Sequence, residues 1–173
     1  MNTTDKYLKE AVDYSAEDAK FMAMAIELSI KNIDEGGGPF GAVIVRDGEV
    51  IARAYNRRQT DKCATAHAEI LAIEEACRRL GGWRLPRAVM YVTLEPCPMC
   101  AGALVNARVE KVVYGASDIR FGALGSLFNL SELRVNHKLT VEGGILGEEC
   151  RNLLSDYFKA KRKSKKSESD ELS

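Results

Sequence analysis

Apolar residues recur along this chain with two different periods, and the switches between them mark out its elements. Ser15-Ala16-Glu17-Asp18 reads as a helix start, the serine capping the first turn and the acids suiting the positive end of the helix dipole. Met22, Ile26, Ile30 and Ile33 follow at steps of four and three and form one apolar stripe, which Gly36-Gly37-Gly38-Pro39 ends. Residues 40–45 are apolar and β-branched, Asp47-Gly48 is a tight-turn signal, and 49–55 follow as a second strand, so the two predict a hairpin. Residues 56–65 are a polar loop. A second helix is predicted over 66–80, with Ile70, Ile73, Ala76 and Leu80 on one face and Gly81-Gly82 as its stop. AVMYVTL, 88–94, predicts a buried strand that Pro96 breaks; Pro98 then suits the first turn of a helix reaching about residue 108. A short strand at 111–114, a glycine-rich loop at 115–125, a strand at 139–142 and a terminal helix from 148 to about 163 complete the order. Residues 1–14 lack periodicity and are expected to fray. The last ten, SKKSESDELS, have the composition of a disordered tail. Strands alternating with helices imply an α/β domain over 1–163, a mixed sheet of about five strands covered by helices on both faces.

Length and composition narrow the function classes only slightly. A chain of 173 residues fits one domain with a real core. Its 25 basic and 25 acidic side chains cancel, so net charge favours no class of partner. The distribution says more: KAKRKSKK puts six basic residues between Lys159 and Lys166, just after Tyr157-Phe158. Phe158, Lys159, Lys161 and Arg162 are candidate RNA contacts on that ground, a base stacking on the ring and phosphates meeting the cations. The same residues also fit a solvated helix end. No apolar run approaches the ~20 residues that cross a bilayer, and MNTTDKYLKE has no signal-peptide core, so a cytoplasmic protein without a membrane partner is expected. Five cysteines, an odd count without a secretion signal, argue for reduced thiols and against a disulfide framework.

Two of those thiols, Cys97 and Cys100, lie three apart in TLEPCPMCAGA at the start of the third helix. Positions three apart share a helix face and can grip one ion, and a helix N-terminus favours the thiolate that a metal needs. Only two histidines exist, His67 and His137. His67 opens the second helix, so His67, Cys97 and Cys100 would supply three N and S ligands suited to tetrahedral zinc with a fourth position for water. Glu69, two residues on, is the candidate proton carrier. On a regular helix, residues i and i+2 point to different sides, so the pairing requires His67 to stand at the very end of its helix. A redox pair would want a thioredoxin-like context, and a structural zinc site would want a fourth Cys or His. Cys63, Cys77, Cys150 and His137 have no comparable spacing and fit packing or surface roles.

The joint signature, His-x-Glu followed by Pro-Cys-x-x-Cys, resembles that of the zinc-dependent nucleoside and nucleobase deaminases, the cytidine/deoxycytidylate deaminase-like family. GAVIVRDGEVIARAYN, TAHAEILAI, YVTLEPCPMCAGAL, VVYGASD, GALGSL and the segment from GILGEEC to LLSDYF resemble the bacterial tRNA-specific adenosine deaminases across roughly residues 18–163. This resemblance implies a three-layer αβα cytidine deaminase-like fold with one zinc ion per subunit. It implies conversion of adenosine to inosine at the wobble position of a tRNA anticodon, zinc-bound hydroxide attacking C6 with Glu69 as proton shuttle. It further implies that Asn56 and the Ala68 backbone amide contact the base, that Phe40 forms a pocket wall, and that Asp118 and Arg120 meet the sugar–phosphate beside the target. The expected partners are a tRNA anticodon stem-loop and a second copy in a homodimer. Without the resemblance, Asn56 reads as a loop cap, and Asp118 and Arg120 as a solvated loop.

Two other functions stay open. GGGPFGAVIV resembles bacterial guanine deaminases, whereas the tRNA enzymes usually carry Val or Ile where Phe40 stands, and Cys63-Ala64 replaces an Asp-Pro often seen there. A free-purine deaminase acting on guanine is therefore the alternative enzyme. A zinc-stabilised RNA-binding partner subunit without catalysis is the alternative of another class, against which the intact Glu69 argues.

Overall fold

The computed structural model describes residues 15–171, with side chains to residue 164. The expected fraying of 1–14 lies outside the described residues. The elements run α1 (Ala16–Asp34), β1 (Gly41–Arg46), β2 (Glu49–Tyr55), α2 (Ala68–Leu80), β3 (Ala88–Leu94), α3 (Pro98–Asn106), β4 (Lys111–Ala116), β5 (Thr140–Gly143) and α4 (Gly147–Glu171). A single 3-10 turn, Leu130–Glu132, lies in the long connection before β5. This is the order that the periodicity predicts.

The sheet order is β2-β1-β3-β4-β5. β1 pairs antiparallel with β2 and β3, while β3, β4 and β5 run parallel, as a β–α–β crossover through α3 requires. Pleating splits the strands between two cores. Ala42, Ile44, Met90, Val92 and Val112 face α2 and α3. Val43, Val45, Tyr91 and Val113 face α1 and α4, joined by Met22, Ile26 and Leu153. Burial on both faces explains why β3 reads as an unbroken apolar run and not as an alternating one. Helices on both faces of a mixed sheet make the αβα sandwich. Among the described residues no helix is long and apolar enough to cross a membrane.

Ser15 caps α1 as expected, its hydroxyl accepting the Asp18 backbone N–H at 3.0 Å. The α2 stripe differs from expectation. Its deeply buried positions are Ala68, Ala72 and Ala76 with Glu69, while Ile70, Ile73 and Leu80 are half-buried. Small side chains let α2 lie close on the sheet, and the larger ones flank that contact. α2 also begins at Ala68 and not at 66, because His67 is extended (φ −76°, ψ 154°). α3 stops at Asn106, two residues early, since Arg108 takes φ +62°. α4 runs on to Glu171 where an end near residue 163 is expected; SKKSESDE contains no glycine or proline to break it.

α1 crosses β1 so closely that a Cβ on Gly41 would strike the Ala25 carbonyl and come within 3.0 Å of Leu28 Cβ and Ser29 Oγ. The obstacle is helix backbone, which cannot swing aside. Gly41→Ala should therefore lower stability by about 1–3 kcal/mol in urea unfolding. A change below about 0.5 kcal/mol, typical of a surface position, would contradict this packing.

Candidate active site

The strand directions place four chain ends along one edge of the sheet: the start of β1, the end of antiparallel β2, and the ends of parallel β3 and β4. Leu94 pairs with Ala116, and the Glu95 N–H donates to the Ala116 carbonyl at 2.8 Å, so β3 and β4 stop level. Ligands in open α/β sheets bind at this edge. Here a cavity of about 180 Å³ opens, lined by residues that include Phe40, Asn56, His67, Ala68, Glu69, Cys97 and Asp118. That is smaller than the ~300–1,000 Å³ of a pocket for a drug-sized ligand. One heterocycle fits, and an attached sugar would remain at the mouth.

His67 and Cys97 occupy equivalent places, each the extended residue capping the N-terminus of its helix. In that conformation His67 need not follow helical side-chain directions, which resolves the i, i+2 conflict with Glu69: both line the cavity. His67 Nδ1 lies 3.8 Å from Cys97 Sγ and 3.6 Å from Cys100 Sγ, and the three donor atoms are all within 4.8 Å of one another. Tetrahedral bonds of about 2.0–2.3 Å would separate N and S donors by about 3.6 Å. The donor set therefore fits one tetrahedral metal ion, with both thiols at a helix N-terminus.

Charge at the site is set by burial. Glu69 is 7% exposed, and desolvation pushes its carboxyl above the usual carboxylate range. Cys97 is brought down to about 4, first by the hydrogen bond from the Cys100 thiol and then by His67. Cys100, giving that bond and being buried, is pushed up. The His67 imidazole is raised, chiefly by its contact with Cys97.

Arg120 stands apart from the cavity lining, exposed on the loop after β4, where its backbone N–H donates to Asp118 Oδ1 at 3.0 Å. Phe158, Lys159, Lys161 and Arg162 lie on α4 and do not line the cavity. Phe158 packs edge-on against Tyr157 with centroids 5.1 Å apart, and Lys161 Nζ lies 5.7 Å over the Tyr157 ring.

Several contributing residues escaped sequence reasoning. Glu95, 2% exposed, ends β3 and turns its carboxylate on the loop after β4. It accepts the backbone N–H of Asp118 (3.1 Å), Leu124 (3.0 Å) and Ser126 (2.9 Å), and the Ser126 hydroxyl. One carboxyl group thus fastens the loop that carries Asp118. The only sequence signal was an acid at the end of an apolar strand. Asn32, buried on α1, donates through Nδ2 to the Gly38 carbonyl at 2.7 Å and the Asn56 carbonyl at 3.0 Å. It clasps the Phe40 segment to the Asn56 segment, and a Cβ on Gly37 would collide with it. Arg58 and Phe121 also line the cavity.

The protein-family model described as MafB19-like deaminase matches residues 16–162. The chain is similar to the tRNA-specific adenosine deaminase of Bacillus subtilis (strain 168), with 52% identity over 158 residues, 91% of this chain and 98% of that one. It is also similar to a solved structure from a study of A-to-I editing by tRNA:A34 deaminases at the wobble position of transfer RNA. That likeness has a TM-score of 0.75 at 42% identity and covers 78% of this chain and 99% of the other. A guanine deaminase from Nitrosomonas europaea is similar at 29% identity with a TM-score of 0.69, covering 89% and 91%.

Asn32→Ala would remove one donor from the Gly38 carbonyl, which keeps the Phe40 N–H, and one from the part-buried Asn56 carbonyl, at a cost of about 1–3 kcal/mol for the two bonds. The Asn56 N–H, which donates to the Phe40 carbonyl at 3.1 Å, should then exchange with solvent faster. Unchanged exchange at Asn56 would show that the clasp does not hold this wall.

Proposed function

The chain belongs to the MafB19-like deaminase family, and from that premise and the site geometry we propose that it is a zinc-dependent hydrolytic deaminase converting adenosine to inosine at the wobble position of a tRNA anticodon. The observation that carries the chemistry is one cavity bordered by an imidazole, the Cys97 thiol and a buried carboxylate, with the buried Cys100 thiol completing a donor set whose atoms lie within 4.8 Å of one another. What supports the tRNA substrate is the likeness to tRNA deaminases along most of the chain. His67, Cys97 and Cys100 would hold the zinc, one ion per subunit. When bound there, zinc acts as a Lewis acid that lowers the pKa of water from ~15.7 to ~7.

The chain's own residues account for the remainder. Asn56 and the Ala68 backbone amide hydrogen-bond the base and fix its ring, with Phe40 as one wall. Glu69 takes one proton from the attacking water and delivers it to ring N1, then takes the second from the new hydroxyl at C6 and passes it to the departing amine. Oxygen replaces nitrogen at C6, and the products are inosine and ammonia. A carboxyl raised by burial suits the shuttle, since it holds a proton more readily than an exposed carboxylate does. Asp118 at the cavity wall and Arg120 outside it meet the sugar–phosphate, and Phe158, Lys159, Lys161 and Arg162 extend the RNA contact along α4. The working unit is residues 1–163 as one domain, in a cytoplasmic homodimer. Leu127, Phe128 and Leu133, exposed beyond the site, supply apolar surface for a second copy.

A second reading rests on Phe40, which narrows the cavity wall with its ring packed over Gly38, and on the likeness to a guanine deaminase. Parallel assays with an anticodon stem-loop bearing the wobble adenosine and with free guanine separate the two. We expect ammonia from the stem-loop; ammonia from guanine alone would overturn the tRNA reading. Glu69→Gln should lower the rate by at least about 10²-fold. Because the folded-state pKa of Glu69 is raised, its ionisation opposes folding: in metal-free wild type its contribution to stability is lost as pH rises from the ordinary glutamate range through the raised value, and the difference in stability between wild type and the glutamine variant should change with pH accordingly. Full activity in Glu69→Gln would refute the assigned role.

A further inference from the structure

An exposed aromatic stands at the cavity mouth that the deamination step leaves unused. The loop after β4 projects Ile119, Arg120 and Phe121; Ile119 is 81% exposed and Phe121 60%, yet Phe121 also lines the cavity. This exposure is not looseness. The Asp118 carboxylate accepts the backbone N–H of Arg120 (3.0 Å) and Phe121 (3.2 Å), and the Gly122 N–H donates to the Asp118 carbonyl at 2.7 Å. Immediately beyond, the Ala123 N–H reaches the Pro96 carbonyl at 2.9 Å, and Glu95 clamps the loop from beneath. The backbone that carries the ring is therefore held at a fixed place, next to a cavity with room for one heterocycle. An apolar patch presented in this way marks a contact surface.

Its neighbours specify the partner. Arg120 precedes Phe121, and Arg58 lines the same cavity. Both are exposed, and among the described residues neither takes part in an ion pair, whereas the adjacent Arg57 is held by Asp61 at 2.8 Å. A π-face between unpaired guanidinium groups suits a nucleobase with its phosphates. A free purine would sit inside the cavity, meet at most the edge of Phe121 that lines it, and leave the exposed face of the ring in water. A polynucleotide that inserts one base must bring the next one to the mouth.

We propose that Phe121 stacks on the nucleobase adjoining the target nucleotide, with Arg58 and Arg120 meeting the flanking phosphates. This rests on RNA being the substrate and makes the rim a device that distinguishes a polynucleotide from a free base.

The test is a cycle of two changes. Wild type and Phe121→Ala are assayed on an anticodon stem-loop with the wobble adenosine, and on the same RNA made abasic at either neighbouring nucleotide. Loss of one stacked base is expected to lower kcat/KM roughly 5- to 150-fold in Phe121→Ala on intact RNA. Phe121→Trp should recover most of that loss, and Phe121→Leu should not. On one of the abasic RNAs the Phe121→Ala effect should vanish, because the partner is already gone. Equal activity of Phe121→Ala and wild type, or the same loss on every RNA, overturns the stacking role while wild-type turnover upholds the substrate. A Phe121→Ala effect confined to the monomer–dimer equilibrium would overturn it too and assign the tip to a second copy. Absence of stem-loop turnover in wild type would remove the RNA reading itself, and this inference with it.

Discussion

The site depends on one constraint, that two helices must begin at the same sheet edge with their capping residues facing each other. His67 caps α2 and Cys97 caps α3, and both are extended where the next residue is helical. Parallel β3 and β4 force α3 to cross the sheet and start where β3 ends. The antiparallel hairpin of β1 and β2 delivers the chain to that edge before α2. Neither helix could shift by one residue without rotating its donor away by about 100°.

A buried carboxylate and two thiols in one place would oppose folding if all were ionised. The metal-free protein lessens that opposition in two ways: desolvation raises Glu69, and the thiols share a proton, Cys97 low and Cys100 high. Glu95 is handled differently. Both of its carboxyl oxygens accept hydrogen bonds from the loop after β4, so it can be buried beside the cavity. Two buried acids a few residues from the His67, Cys97 and Cys100 donor group thus differ in kind. Glu69 lines the cavity and, among the described residues, has no comparable set of loop donors, and Glu95 holds the loop.

The fold was legible because its signals are local and agree with one another. Ser15, Asp47-Gly48, Gly81 and Pro98 punctuate the chain where the elements begin and end. The donor triad was legible because sulfur and imidazole are scarce here and each stood at a predicted helix start. Glu95, Asn32 and Phe121 were not, since their importance lies in partners 5 to 31 residues away or in what surrounds them: Glu95 reaches Ser126, and Asn32 reaches Asn56. The α2 face was misjudged for a related reason. Hydrophobic size pointed to Ile70 and Leu80, whereas close approach to the sheet selects the alanines.

That one imidazole and two thiolates hold a common ion can be tested directly by X-ray absorption at the zinc edge on purified protein, with metal content determined on the same sample. One zinc per chain with two sulfur scatterers, falling to one in Cys97→Ser, is the result this account predicts. Protein that binds no stoichiometric metal, or a sulfur count unchanged in Cys97→Ser, would contradict it.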